Sequence, residues 1–267
     1  MADFVNTIDV LGDDAVVDSI INRTITEFKD DKVSNVGKYA FAQCQALTEV
    51  DVPAATKLWD AAFQYCTSLK TINAPLCAEL GAQAFQYAGV ESVNFPLVTL
   101  FGSSVFAQCK SLKSANFPSA PDVASNLFNN CTELETVRFP LATVIGNNAF
   151  DRCSSLAKID CPHITRIKSG AFSYCTSLKS LILRGGTVCT LDAVAILSTC
   201  PIADGTGYIY VPAALIDSYK AAANWSTYAN QFRSLEEWTV DGTVTGELSD
   251  RIYSVCGDFL CGEAVCG

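Results

Sequence analysis

The sequence is poor in charge, and above all in positive charge. Only 17% of its 267 residues are charged whereas 49% are hydrophobic, and 18 basic residues face 28 acidic ones for a formal net charge of -10. An acidic protein repels the phosphate backbone, which argues against a nucleic-acid partner. The hydrophobic content is ample for a buried core, so the chain is expected to fold rather than to stay disordered.

Long hydrophobic runs are also absent. No stretch approaches the roughly 18 apolar residues that a membrane-spanning helix needs, so no membrane insertion is expected. The opening residues Met1 to Phe4 are followed by neither a basic nor an apolar segment, and no signal-peptide pattern is visible. We therefore expect synthesis in the cytoplasm, with display on a virion or another surface as the route to the outside.

Residue types that carry catalysis or bind metals are scarce as well. His163 is the only histidine, so a Cys–His or Ser–His–Asp mechanism would have to use it, although its place after Cys161-Pro162 indicates a turn. The repeated part of the chain has no C-x-x-C spacing for zinc, and no glycine-rich phosphate loop occurs. The sequence therefore predicts no catalytic residue, no metal and no cofactor.

What the sequence does contain is an internal repeat. A phenylalanine recurs with spacings of 22, 22, 21, 22, 22 and 22 residues at Phe41, Phe63, Phe85, Phe106, Phe128, Phe150 and Phe172. Three residues after each stands Cys44, Cys66, Ala88, Cys109, Cys131, Cys153 or Cys175. Because the third, shortened copy accepts alanine there, the position is interpreted as a small buried packing slot.

Each copy continues with a short apolar alternation that ends at a proline, as in residues 47–52 before Pro53. Alternation of this kind is typical of a half-buried strand, and the proline ends it. The pattern predicts one strand per coil, followed by a turn back into the core. A single coil cannot bury its apolar face, so the coils are expected to stack and to pair their strands in parallel.

These residues resemble the BspA-like leucine-rich repeats, with their pattern I-G-x-x-A-F-x-x-C-x-x-L-x-x-I-x-[LI]-P, from about Val33 to Leu183. The resemblance implies an α/β repeat solenoid that has a parallel β-sheet on one face and short helical or 3-10 turns on the other. The family looks like a set of binding and adhesion surfaces. What it implies for function is therefore a surface for a partner and no catalytic site.

Both ends of the solenoid are expected to be capped. The predicted divisions are residues 1–32, a cap with a helix over 15–21 and a degenerate strand over 24–28; residues 33–186, the repeat array; residues 187–236, a helical cap; and residues 237–267, a hairpin and a cysteine-containing tail. Within the C-terminal cap we predict helices over 191–197 and 213–223, with a strand at 208–212 between them. Leu215, Tyr219 and Trp225 are expected to lie against the end of the solenoid.

The cysteines of the repeat are predicted to be reduced, because equivalent side chains on successive coils point parallel to one another rather than towards each other. The tail cysteines Cys256, Cys261 and Cys266 are spaced by five residues. A packed tail, a three-thiolate metal site and an intermolecular disulfide all remain open for them. A homo-oligomer formed through this tail is a further expectation.

The candidate ligand-binding residues are the strand positions that point away from the core: Thr71, Asn73, Ser92, Asn94, Ser114, Asn116, Thr136 and Arg138. They are small, polar and nearly neutral, and suit a protein or a glycan. The alternative is that stacked asparagines only hydrogen-bond to each other along the column. Secondary candidates are Tyr65, Tyr87 and Tyr174, just before the cysteine slot, which could anchor a partner or cover the flank of the coils.

Three functions follow as hypotheses. The first is a non-enzymatic binding or adhesion module that recognises a protein or glycan on a surface, and a phage tail or receptor-binding component would reconcile this role with the missing signal. The second is an intracellular scaffold for protein–protein interaction. The third is an enzyme with its chemistry in the C-terminal part.

Overall fold

The computed structural model describes residues 23–237 of the chain. One strand of three or four residues from each coil lies in a column of parallel strands, here called the main sheet. Its strands are β1 (Glu27–Lys29), β3 (Glu49–Asp51), β5 (Thr71–Asn73), β7 (Ser92–Asn94), β9 (Ser114–Asn116), β10 (Thr136–Arg138), β12 (Lys158–Asp160), β14 (Ser180–Ile182), β16 (Tyr208–Val211) and β17 (Phe232–Ser234). The predicted repeat solenoid with a parallel sheet is confirmed.

The register of the main sheet follows the repeat. Phe28 pairs with Val50, so the degenerate first strand exists, although it covers Glu27–Lys29 rather than residues 24–28. Among the described strands the hydrogen-bonded ladder is interrupted between β5 and β7 and between β10 and β12. The first interruption lies at the coil that is one residue short. At both interruptions, the inward-pointing residue in the middle of the preceding strand is only half-buried: Ile72 in β5 and Val137 in β10.

A second column of parallel strands, here called the second sheet, corrects the prediction of one strand per coil. It comprises β2 (Asn35–Val36), β4 (Lys57–Leu58), β6 (Glu79–Leu80), β8 (Leu100–Phe101), β11 (Val144–Ile145), β13 (Arg166–Ile167) and β15 (Thr190–Leu191). Two-residue strands are too short to leave an alternation in the sequence. The ladder breaks after β8. In the coils on either side, the N–H of Thr99 donates to the carbonyl of Ala78 and the N–H of Thr143 donates to the carbonyl of Pro121. Pro121 itself has no N–H, so the equivalent bond from Pro121 to Thr99 is missing.

The flank that carries the repeated phenylalanines consists of successive turns with hydrogen bonds between residues i and i+3. Every second N–H points instead to the next coil, as in Tyr39 to Asp60, Phe41 to Ala62 and Gln43 to Gln64. This alternation places two residues per coil in the left-handed region. One stands two positions before the phenylalanine and the other two positions after it: Tyr39, Gln43, Ala61, Tyr65, Gln83, Tyr87, Ser104, Gln108, Asn126, Asn130, Asn148, Arg152, Gly170 and Tyr174. The left-handed residues stop the turns from extending into helices.

The core is a stack of aromatic rings along the solenoid axis. All seven repeated phenylalanines are fully buried, as predicted. Neighbouring rings lie nearly parallel with centroids 5.2 to 5.8 Å apart, for example 5.8 Å between Phe106 and Phe128. A second row, formed by Phe95, Phe117 and Phe139 at the ends of main-sheet strands, packs beside it. The coils thus bury one continuous hydrophobic core.

The C-terminal cap differs in detail from the prediction. The expected helix over 191–197 is a short 3-10 turn, Val194–Leu197, because Leu191 still belongs to β15. The expected helix over 213–223 is a 3-10 turn, Ala213–Leu215, followed by α2, Ile216–Ala221. A further helix, α1, covers Pro201–Asp204, and 3-10 turns cover Ser226–Gln231 and Leu235–Glu237.

Two aromatic residues close the end of the solenoid, as predicted. Trp225 and Tyr219 are buried, and both bond to the backbone of Cys189, whose N–H donates to the Tyr219 hydroxyl and whose carbonyl accepts from the Trp225 indole N–H. Leu215 packs against the core while half-buried. Within the described part of the chain, every helix is too short or too polar to cross a membrane.

The predicted N-terminal helix, the hairpin and the tail cysteines lie outside the described residues. The divisions at residues 32, 186 and 236 stay predictions.

Candidate binding surface

The predicted ligand-binding residues lie together on the outward face of the main sheet. Ser92, Ser114 and Thr136 pair in register across three strands, and Asn94, Asn116 and Arg138 pair beside them. Thr71 and Asn73 stand at the equivalent positions of β5. These eight residues are here called the amide–hydroxyl face. Five of them are exposed and Ser114, Asn116 and Arg138 are half-buried, so the parallel strands hold a row of polar groups at fixed spacing.

The asparagines of this face hydrogen-bond along their column, as the alternative interpretation predicted. The amide of Asn116 donates to Oδ1 of Asn94 over 2.7 Å, and that of Asn73 donates to Oδ1 of Asp51 over 2.8 Å. Oδ1 of Asn116 is buried and has no hydrogen-bond partner among the described residues. The column therefore supports itself, which fixes the side chains that it displays.

Charged side chains lie at both ends of the main sheet. At the N-terminal end, Nζ of Lys29 lies 3.1 Å from Glu49 and 3.4 Å from Glu27, and the hydrogen bonds that the exposed lysine donates to these carboxylates raise its pKa. Asp51 adds a further acid there. At the other end, the guanidinium of Arg184 forms a bidentate pair with Asp160, with bonds of 2.9 and 2.8 Å.

A cluster at this C-terminal end was not predicted as a site. Tyr208 and Tyr210 point outward from β16, and the guanidinium carbon of Arg233 lies 4.3 Å from the centroid of the Tyr208 ring. With Asp160 and Arg184 they form what is here called the tyrosine–arginine cluster. The signal in the sequence was the alternation Tyr208-Ile209-Tyr210, which places both rings on one face.

Ile182 stands in the outward column of β14, in register with Asp160, but it is fully buried. Its register neighbours explain this: Asp160 on one side is paired with Arg184, and Tyr210 on the other is a large ring. The isoleucine is therefore a packing residue beneath the tyrosine–arginine cluster and is not displayed to a partner.

The secondary candidates lie on the turn flank, away from the amide–hydroxyl face. Tyr65 and Tyr87 stack on each other with ring centroids 4.6 Å apart, and Arg152 lies 4.6 Å from the centroid of the Tyr174 ring. All of them are exposed or nearly so, and all have left-handed backbones. They cover the flank by pairing along it, and the structure does not bring Tyr174 to the other two tyrosines, which stand four and five coils away.

The cysteines of the repeat are buried in the core, as predicted. All ten cysteines in the described residues are buried and form no disulfide, and burial raises their pKa, to about 11 for Cys44 and Cys77 and to about 12 for Cys161. Among the described residues no group of three or more His, Cys, Asp or Glu side chains could hold a metal ion. His163 is exposed on the turn after β12.

Comparison with known proteins decides the family. The pattern of the BspA-type leucine-rich repeat region matches residues 4–113 and 78–195, in six copies. The chain belongs to the BspA-type leucine-rich-repeat family. A BspA-type repeat array is a module for protein binding or surface recognition, and the family is not generally enzymatic.

Solved structures show the same fold. A leucine-rich-repeat protein from Bacteroides ovatus is 19% identical with a TM-score of 0.50 over 71% of this chain, and the chain spans 56% of that protein's length. The leucine-rich-repeat protein of T. pallidum (TpLRR) is 24% identical with a TM-score of 0.54, over 57% of this chain and 78% of that one. No curated protein matches the chain significantly in sequence.

Proposed function

We propose that the chain is a non-enzymatic module that binds a protein through the outward face of its main sheet. The observation that carries this proposal is the register of the amide–hydroxyl face. Polar side chains in neighbouring coils stand about 4.8 Å apart on a hydrogen-bonded sheet, so little conformational entropy is lost when a partner orders them. Such a rigid row suits an extended segment of a partner better than a small metabolite.

The face also takes no part in packing the core. Its residues do not fill the core, whereas the inward neighbours Val93 and Ala115 do. The chain can therefore vary the face without disturbing the coils. The turn flank is a weaker candidate, because the exposed tyrosines found there are already paired along the solenoid with each other or with Arg152.

A photo-crosslinking experiment tests this proposal. A photoreactive phenylalanine analogue is placed at Asn94, on the amide–hydroxyl face, or at the exposed Thr165, beside the second sheet, and each variant is irradiated with extracts of the source organism. We expect covalent protein adducts at position 94 and none of the same proteins at position 165. Adducts that form equally at both positions, or only at 165, would remove the proposed face.

The setting of the module stays a prediction. The identity of the crosslinked partner distinguishes the possible settings. A host surface protein supports adhesion or a virion component, and a cytoplasmic protein supports an intracellular scaffold. Binding to a glycan is tested with the same variants, because a glycan ligand would give no protein adduct at position 94.

A further inference from the structure

We infer that the tyrosine–arginine cluster, together with Arg138, is the anchor for an acidic, extended segment of the partner protein. This inference rests on the proposed function and specifies the chemistry of the partner. It comes from the charges of the main sheet, which the residues of the amide–hydroxyl face alone do not reveal.

The C-terminal half of the main sheet is positive although the chain is acidic. The outward positions from β10 to β17 and the second residue after β14 carry Arg138, Lys158, Arg184 and Arg233 against the carboxylate of Asp160, and the acids Glu135, before β10, and Glu236, after β17, flank these strands. Setting aside Lys158 and the Arg184–Asp160 pair, Arg138 and Arg233 are basic groups of this region with no carboxylate of the described residues within 4.0 Å, on a chain of formal net charge -10. A field of this sign attracts carboxylates to this end of the sheet and repels them from the end with Glu27, Glu49 and Asp51.

The decisive residue is Arg233. Its guanidinium is half-buried and is held by neutral groups: Nη1 donates to the carbonyls of Asn230 and Phe232 over 3.0 and 2.8 Å, and the ring of Tyr208 lies beneath it. No carboxylate among the described residues lies within 4.0 Å of it. Arg184 and Arg166, by contrast, are each neutralised by an aspartate. Arg233 therefore presents a fixed and uncompensated charge.

Arg138 is the second such group. It is half-buried beside Asn116, and no carboxylate among residues 23–237 lies within 4.0 Å of its guanidinium. Four strand steps separate β10 from β17, which is about 19 Å at 4.8 Å per strand. An extended peptide of about six residues spans that distance, so carboxylates near its two ends would meet Arg138 and Arg233.

A peptide fits this surface better than an acidic glycan. Sugar rings bind proteins by stacking on open aromatic faces, and the guanidinium of Arg233 already lies over one face of Tyr208. A planar guanidinium with a fixed orientation suits the two oxygens of a carboxylate. Tyrosine and arginine are also the residues that most often dominate protein–protein interfaces.

Fluorescence anisotropy with a defined probe tests the inference. The probe is a fluorescein-labelled peptide about twelve residues long that alternates Glu and Ser, compared with a Gln/Ser twin and with labelled oligogalacturonate of the same charge. We expect the Glu/Ser peptide to bind, more weakly as salt rises from about 50 to about 300 mM, and the Gln/Ser twin not to bind. Arg138→Gln/Arg233→Gln should weaken binding at least about tenfold.

The matched control is Lys32→Gln/Lys110→Gln, which removes the same charge from exposed positions elsewhere and should change affinity less than about twofold. Equal losses in both double variants, no binding of the Glu/Ser peptide up to about 1 mM, or tighter binding of the oligogalacturonate would each overturn the inference. If the partner crosslinked at position 94 binds both double variants equally well, the inference fails while the proposed function stands.

Discussion

The thiol of Cys131 donates a hydrogen bond to the backbone carbonyl of Phe106, in the preceding coil, over 3.0 Å. The same carbonyl accepts the N–H of Cys109 in its own coil over 3.1 Å. The relationship repeats at Cys66, Cys109, Cys153, Cys175 and Cys200, each bonded to the phenylalanine of the coil before. The cysteine slot is therefore a buried donor that ties one coil to the next, and not only a small packing residue.

Stability should consequently fall in alkali. The buried thiols stay protonated in the folded chain because burial raises their pKa, whereas in the unfolded chain they ionise above about pH 8.5. Rising pH therefore favours unfolding. We expect the free energy of unfolding to drop between about pH 9 and 11, by about 1.4 kcal/mol per pH unit for each thiol that stays protonated.

Denaturant titrations under reducing conditions measure this slope. The free energy of unfolding should fall less steeply with pH in Cys131→Ala than in the unchanged chain, by about 1.4 kcal/mol per pH unit, because one ionising thiol has been removed. An identical slope would mean that Cys131 ionises in the folded state.

The aromatic stack makes each inner coil indispensable. Phe128→Ala removes a fully buried ring between Phe106 and Phe150 and should lower the free energy of unfolding by about 3–5 kcal/mol. The control is Leu141→Ala, at a side chain that is 53% exposed, which should change it by less than about 0.5 kcal/mol. Equal denaturation midpoints for the two variants would refute the stacking argument.

The shortened third coil depends on Gly89. A Cβ at this position would lie 2.1 Å from the carbonyl oxygen of Thr67 in the coil before, so the backbones of the two coils touch there. Gly89→Ala should destabilise the chain by about 1–3 kcal/mol. Gly186→Ala, at a site with no atom within 4 Å, should not, and thermal melts of the two variants compare them directly. A Gly89→Ala variant as stable as Gly186→Ala would show that the coil can widen.

The left-handed backbone positions predict an unusual order of stability among substitutions. Ser104 has a φ of 59°, where a β-branched residue is strained, so Ser104→Val should lower stability by about 1–2 kcal/mol. Ser104→Gly should be neutral or stabilising. The control is Ser103→Val, at a neighbouring exposed position whose backbone is not left-handed. If Ser103→Val and Ser104→Val were equally stable, the predicted strain at Ser104 would be contradicted.

The main features of the fold were predictable because the repeat is long and regular. A spacing of 22 residues and a buried phenylalanine fix the coil, and an alternation of about six residues marks each main-sheet strand. The second sheet was missed because its strands have only two residues. The left-handed positions of the turn flank have a weak signal, the asparagines and glycine at Asn126, Asn130, Asn148 and Gly170, but most of these positions hold residues that rarely adopt this conformation.

The site was predictable only in part. The alternation places Asn94 and Asn116 outward, and the register brings them together as expected. The tyrosine–arginine cluster escaped prediction because Arg184 and Arg233 lie outside the repeat pattern and reach Asp160 and Tyr208 only through the fold. The alternation of β14 places Ile182 on the outward side, but its burial depends on neighbours that the alternation does not specify.

The central claim is that the amide–hydroxyl face of the main sheet binds the partner. Its most direct test is the dissociation constant of the protein crosslinked at position 94, measured for Asn94→Arg/Asn116→Arg and for the control Thr143→Arg/Thr165→Arg beside the second sheet. We predict at least about a tenfold loss of affinity for the first variant, with an unchanged thermal transition, and no loss for the control. Unchanged affinity in a folded Asn94→Arg/Asn116→Arg protein would contradict the claim and move the site to Tyr65, Tyr87 and Tyr174 or to the C-terminal segment.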